Sequence, residues 1–315
     1  MNFSKKTLFW IIVLIILSGA FYFFEQEAEE ARIAKEKSLR LFHFTVDDVT
    51  EFWITYLREG RELRVLRSQE GWQLIEPLSA RGDDDAIQKL LTNVITARKD
   101  AVLFEHVDQA KLQELGLDNP ELEIGFNLGN RDVVIQFGVS GPTHNVAYAM
   151  LKGKTKIFRI HADVREEVRV EAYDLRDKTV LDFDPMKMRR FVIEPKGSEK
   201  VVVEQTKGRW HILEPEAGKA SMEKVVETLF EIKNAEIKVF KDESPSDLAP
   251  FGLSAPKLRL TIFEEKNELP YVLEIGDKDR ANRGYFAKTN QAENVFVVEE
   301  GLVNAILRNK DNLSE

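Results

Sequence analysis

The phrase "GWQLIEPLSA" at residues 71–80 is written again as "RWHILEPEAG" at residues 209–218, so that Trp210 follows Trp72 by 138 positions. No other feature constrains the fold as much. The same offset puts Leu63 and Val65 on Val201 and Val203, and Pro77 on Pro215. Ile87, Leu91, Val94 and Ala97 fall on Val225, Leu229, Ile232 and Ala235. Gly138 meets Gly276, Tyr148 and Ala149 meet Phe286 and Ala287, and Phe158 meets Phe296. A slip to 136 aligns "LGLDNP" (residues 115–120) with "FGLSAP" (residues 251–256). Matches in one order at nearly one offset mark a tandem domain duplication. A period this long belongs to domains with cores of their own, not to solenoid units. The chain, 315 residues with 43% hydrophobic and 31% charged, has room and apolar content for about two such domains.

Each copy reads locally in the same way. "ELRVLRS" and "KVVVEQT" alternate and are β-branched, which predicts strands. The next strand carries Trp72 or Trp210 and stops at Glu-Pro, because proline donates no ladder hydrogen bond and holds its predecessor extended. Asp83 and Ser221 are the predicted N-caps of a helix whose apolar stripe is Ile87, Leu91, Val94 or Val225, Leu229, Ile232. A short second helix is expected in both copies, running to Leu115 or Phe251. It ends at Gly116 or Gly252 in the left-handed conformation, and Leu117 or Leu253 folds back on the last turn. Pro120 and Pro256 open an alternating strand, followed by "VVIQFG" and "YVLEIG", with Gly138 and Gly276 at expected bulges or tight turns. Two more strands are expected around "VAYAML" and "KIFRI", and around "GYFAK" and "VFVVE". The predicted class is α+β: two tandem homologous domains, each an antiparallel sheet with one main helix and short helices. Trp72 and Trp210 are read as core residues rather than the lining of a ligand groove.

Ahead of the repeats, "TLFWIIVLIILSGAFYFF" (residues 7–24) carries no charge and as a helix spans roughly 27 Å, about one bilayer core. Lys5 and Lys6 precede it and Glu25, Glu27, Glu29 and Glu30 follow, so the positive-inside rule puts the tail in the cytoplasm. A cleaved signal peptide is the competing reading, with Ser18 and Ala20 at small-residue positions; continuation through "FYFF" favours a retained signal anchor. The following "EQEAEEARIAKEKSLRL" lacks Gly, Pro and an apolar seam. It predicts a solvated helical stalk with pairs such as Glu29–Arg32 and Arg32–Glu36, not a coiled coil. The expected order is a cytoplasmic tail (1–6), a transmembrane helix (7–24), a stalk (25–40) and repeat domains at 41–181 and 182–315. That order describes a single-pass membrane protein with a cytoplasmic N-terminus and its domains on the other side.

The residues offer little reactive chemistry. A net charge of −9 and pI of 5.4 argue against nucleic acid as a partner, and "KMRR" at residues 187–190 reads as one side of a strand. Without cysteine there is no disulfide, thiolate nucleophile, Cys-ligated metal or lipoprotein acylation. His43, His106, His144, His161 and His211 show no helical zinc spacing, and the counterpart of His211 is Gln73. "GDDDA" (residues 82–86) is the most acidic cluster. Its carboxylates suit a helix start better than a calcium loop, whose spacing is absent. No phosphate-cradling glycine motif and no Gly-x-Ser-x-Gly elbow occurs. No catalytic residue, cofactor or metal is therefore assigned.

The Trp–aliphatic–aliphatic–x–Pro strand end, the "GL" before x-x-Pro and the "IG"-type strand closing resemble the bacterial family catalogued as domain of unknown function 4340. "DLRDK" (residues 174–178), with a weaker echo in "LRNK" (residues 307–310), also fits. The resemblance spans residues 39–312. It implies one N-terminal membrane helix, an extracytoplasmic body and kinship with components encoded beside ABC-type transporters of the gliding-motility kind. It carries over no catalytic residue. The expected function is a non-catalytic envelope protein that binds or scaffolds a partner, such as a transporter subunit. The alternative is an anchored hydrolase whose carboxylates meet only in three dimensions, around His144 or Asp83, Asp84 and Asp85.

Overall fold

The computed structural model describes residues 5–104, 107–141, 143, 145–265 and 269–314. Helix α1 (Lys5–Leu39) is continuous, and the expected Glu29–Arg32 ion pair forms on it at 2.8 Å. The side chains of most of residues 7–24 lie outside the described set. Among the described residues no helix is long and apolar enough to cross a membrane. The chain divides into two compact units, Met1–Asp177 and Lys178–Glu315. Val180 and Leu181 pack in the second core, so the division falls ahead of the 181/182 boundary read from the sequence.

The first unit contains β1 (Glu51–Tyr56), β2 (Arg61–Ser68), β3 (Gly71–Glu76), β4 (Ala80–Arg81), α2 (Asp84–Ile95), β5 (Lys99–Phe104) and α3 (Gln109–Glu114). It continues with β6 (Leu122–Asn127), β7 (Asp132–Ser140), β8 (Val146–Leu151), β9 (Ile157–His161), α4 (Ala162–Glu167) and α5 (Ala172–Leu175). The second contains β10 (Met188–Pro195), β11 (Val201–Thr206), β12 (Arg209–Glu214), β13 (Gly218–Lys219), α6 (Met222–Lys233) and β14 (Ile237–Asp242). It closes with β15 (Leu258–Glu264), β16 (Tyr271–Asp279), β17 (Gly284–Thr289), β18 (Val295–Glu299) and α7 (Glu300–Asn312). The sheets are nine-stranded and antiparallel, ordered β4-β3-β2-β1-β6-β7-β8-β9-β5 and β13-β12-β11-β10-β15-β16-β17-β18-β14. Strand for strand the two orders are the same.

The registers repeat as well. Phe52 on β1 faces Val65 and Phe126 across its two neighbours; Phe191 on β10 faces Val203 and Ile262. All six side chains are fully buried. Trp72 and Trp210, each 4% exposed, stand against those phenylalanines with ring centroids 5.7 and 6.1 Å apart. Each Trp carbonyl accepts a hydrogen bond at the start of the main helix, from the Gly82 N–H at 2.8 Å and from the Ala220 N–H at 3.1 Å. Strands β3 and β12 end at Glu76 and Glu214, and both Glu–Pro bonds, to Pro77 and Pro215, are cis. Just before each proline the register slips, leaving Ile75 and Leu213 as exposed bulge residues.

Gly116 (φ 66°) and Gly252 (φ 69°) are left-handed, which favours glycine. Leu117 and Leu253 fold back as expected, their N–H groups donating to the Leu112 and Leu248 carbonyls at 2.8 and 3.1 Å. Gly138 and Gly276 lie where β7 and β16 shift register against their neighbours. Leu115 O and Phe251 O there come within 2.1 Å of where a Cβ would stand, so only glycine fits. Pro120 and Pro256 stand two residues ahead of the first residues of β6 and β15, Leu122 and Leu258. Main helices α2 and α6 are capped by Asp83, accepting from the Ala86 N–H at 3.0 Å, and by Ser221, accepting from the Lys224 N–H at 3.5 Å.

Three expectations are corrected. The sheets hold more strands than expected: β1, β4 and β5, with their equivalents β10, β13 and β14, complete the nine. The second helix exists only in the first copy, as α3. In the second copy it is the single 3-10 turn Ala249–Phe251, because Pro250 has no N–H to donate to a helical ladder. The "LRNK" echo is a mismatch, since residues 307–310 lie within α7. The true partner of Leu175 is Leu313: both are buried, and their carbonyls accept from the Asp83 and Ser221 N–H groups, each at 2.8 Å. The adjacent Gly82–Arg176 and Ala220–Ser314 bridges are likewise equivalent.

The outermost long strands, β5 and β14, are each interrupted twice where they pair with β9 and β18. The shifts fall at Lys99/Ala101 and Val102/Phe104, and at Ile237/Val239 and Phe240/Asp242, the same positions in each copy.

Candidate functional site

The first unit holds an open cleft of about 300 Å³ where the β1–β2 turn, the end of β3 and the start of α5 converge. Tyr56, Arg61, Glu62, Glu76, Pro77 and Glu171 line it. The turn closes through Gly60, whose φ of 64° brings Arg61 back over β1. The Arg61 guanidinium lies 4.4 Å from the centre of the Tyr56 ring. It donates to Glu59 at 2.7 Å and, in a two-pronged contact, to Glu171 at 2.7 and 3.2 Å. The buried Tyr56 hydroxyl donates to the Val170 carbonyl at 2.8 Å. Burial, and secondarily the Glu171 carboxylate, pushes that phenol above its ordinary pKa.

Beside the cleft, Glu121 accepts from Arg169 at 2.7 Å and from Arg165 at 3.1 Å. The Arg169 hydrogen bond holds the Glu121 carboxyl below the usual carboxylate range, against an opposing effect of burial. Together these contacts clamp the segment between α4 and α5 onto the ends of β1 and β6. Arg61 with Glu59 and Glu171, and Glu121 with Arg165 and Arg169, thus form two charge-assisted networks at this end of the unit.

This site is not repeated. Tyr56, Arg61 and Glu62 correspond to Pro195, Glu199 and Lys200, and Lys200 pairs with Glu214 at 3.2 Å. The cleft escaped the sequence reading because Tyr56 and Val170 are far apart in the chain and belong to no motif. The alternation of Phe52, Ile54 and Tyr56 was the available signal for the strand that presents it.

The sequence-singled residues lie elsewhere. Asp83 is a helix cap, Asp84 accepts from the Trp72 N–H at 2.8 Å, and Asp85 is exposed on the first turn of α2. Among the described residues no group of three or more His, Asp or Glu has the geometry of a metal site. His161 caps α4 and contacts Asp163 at 3.1 Å; His43 is exposed and His211 half-buried on β12. His106 and His144 lie outside the described residues. The twelve repeat signatures, from Trp72 to Gly276, all serve the frameworks described above.

Against known proteins, the family described as "Domain of unknown function (DUF4340)" matches residues 72–228 and again 210–315. No curated protein and no solved structure matches the chain.

Proposed function

Because this chain belongs to the DUF4340 family and carries two copies of its domain, we propose that it is a membrane-anchored, extracytoplasmic binding or scaffolding protein of the bacterial envelope. Residues 7–24 are its anchor. Its partner is another envelope protein, first of all a transporter of the ABC type, and it performs no catalysis. The observation that carries this reading is the contrast between the copies. Core, bulge and glycine positions are held in common, while the polar groups on the surface, the first-unit cleft included, differ from one copy to the other. Duplication that keeps the framework and diversifies the faces supplies two distinct contact surfaces on one chain. The uncharged run at 7–24 within α1 supports the anchor.

The test is purification of the full chain from native membranes in mild detergent. A membrane protein complex should co-purify in constant ratio, and the chain should resist extraction by alkaline washing. Recovery of the chain alone, or its release by the wash, would sink the proposal.

A further inference from the structure

The first copy is an internal control for what the surface of this fold requires. On α6, Met222, Val226 and Phe230 stand one above another at helical spacing; Met222 is 58% and Phe230 42% exposed. Met186, 63% exposed, sits on the 3-10 turn Pro185–Lys187 that packs against this helix. At the matching positions of the first copy stand Asp84, Gln88, Thr92 and Asp47. The fold therefore does not need apolar groups there. Asp84 even serves the first framework, by accepting the Trp72 N–H, where Met222 offers no acceptor. The row beside the stripe has changed as well: Asp85, Lys89 and Asn93 in the first copy are Glu223, Glu227 and Glu231 in the second.

We infer that this stripe of α6 is the docking face for a partner protein. The partner's segment would set apolar side chains on Met222, Val226 and Phe230 and lysines or arginines along the glutamate row. Methionine adapts its shape to what it meets, and a glutamate row selects a basic partner. An anionic bilayer surface is repelled by the same carboxylates, which makes lipid the wrong occupant. The inference rests on the binding reading above and gives it a face and a partner chemistry.

A photo-crosslinking phenylalanine analogue at Phe230 of the full chain, in its native membrane, tests it. The adduct should map to a protein segment in which apolar residues alternate with Lys or Arg. Its yield should exceed that from the same analogue at Thr92 by about tenfold or more. The substitutions Met186→Asp, Met222→Asp and Val226→Gln, taken from the first copy, should lower it by a similar factor. Should the triple variant lose its fold, Met222→Asp alone gives the same readout. Adducts on lipid, on another part or copy of this chain, or on an acidic segment would overturn the inference, as would a yield no higher than at Thr92. If the detergent complex is recovered equally with the triple variant, the stripe is wrong and the binding reading stands. If the unsubstituted chain recovers none, both fall.

Discussion

At Gly138 a methyl group would stand 2.1 Å from the Leu115 carbonyl oxygen, and at Gly276 it would stand as close to that of Phe251. Backbone cannot yield as a side-chain tip can. Gly138→Ala and Gly276→Ala should therefore each cost about 1–3 kcal/mol, read as a lower urea midpoint. Gly218→Ala, which meets nothing within 4 Å, should leave the midpoint unchanged. Asp279 makes a pH prediction. Hydrogen bonding to Lys241, reinforced by Asn282, holds its carboxyl at about 2, below the ordinary 3.8. A folded pKa lower than the unfolded one gives stability that is present above the unfolded value and lost as pH falls through the folded one. Asp279→Asn should thus destabilise the second unit at neutral pH, with the gap to the unsubstituted chain closing between about pH 4 and pH 2. The glycines could be read from the sequence because they recur beside the same motif. Asp279 could not, since its position in the first copy is Gly141 and its partner Lys241 comes from another strand.

Helix starts carry the clearest element-scale expectation. Asp83→Ala should cost about 1 kcal/mol, and Ser221→Ala less, because its contact is longer. Asp83→Ser, which installs the cap of the other copy, should be close to neutral in the same unfolding measurement. These helices were legible because their apolar residues keep a helical period and follow a capping residue. Strand β1 was missed for a concrete reason. The β1–β2 connection is one residue longer than its equivalent, so Phe52 matches Phe191 at 139 while Val65 matches Val203 at 138, and a comparison at fixed offset passes over β1. Strands β5 and β14 were missed because two register shifts in six residues erase their alternation. The cleft depends on β1 and on a segment more than a hundred residues away, so no local pattern could have announced it.

At the scale of the whole molecule, each unit owns a separate hydrophobic core, one around Phe52 and Trp72, the other around Phe191 and Trp210. Calorimetry should resolve two unfolding transitions. Trp72→Ala should lower one of them and Trp210→Ala the other, each by about 3–5 kcal/mol. A single transition shifted by both substitutions would contradict that independence. The tandem order itself was readable, because a framework that must bury the same aromatic pair twice writes its signature twice.

Doubling a sheet also doubles its unpaired rims, and a rim is where identical molecules crowded on a surface can zip together into fibres. The paired irregularities in β5 and β14 answer that hazard: a rim that kinks twice within six residues offers no straight template. Straightening one of them, rather than weakening either core, would be the shortest path from this fold to an aggregating one.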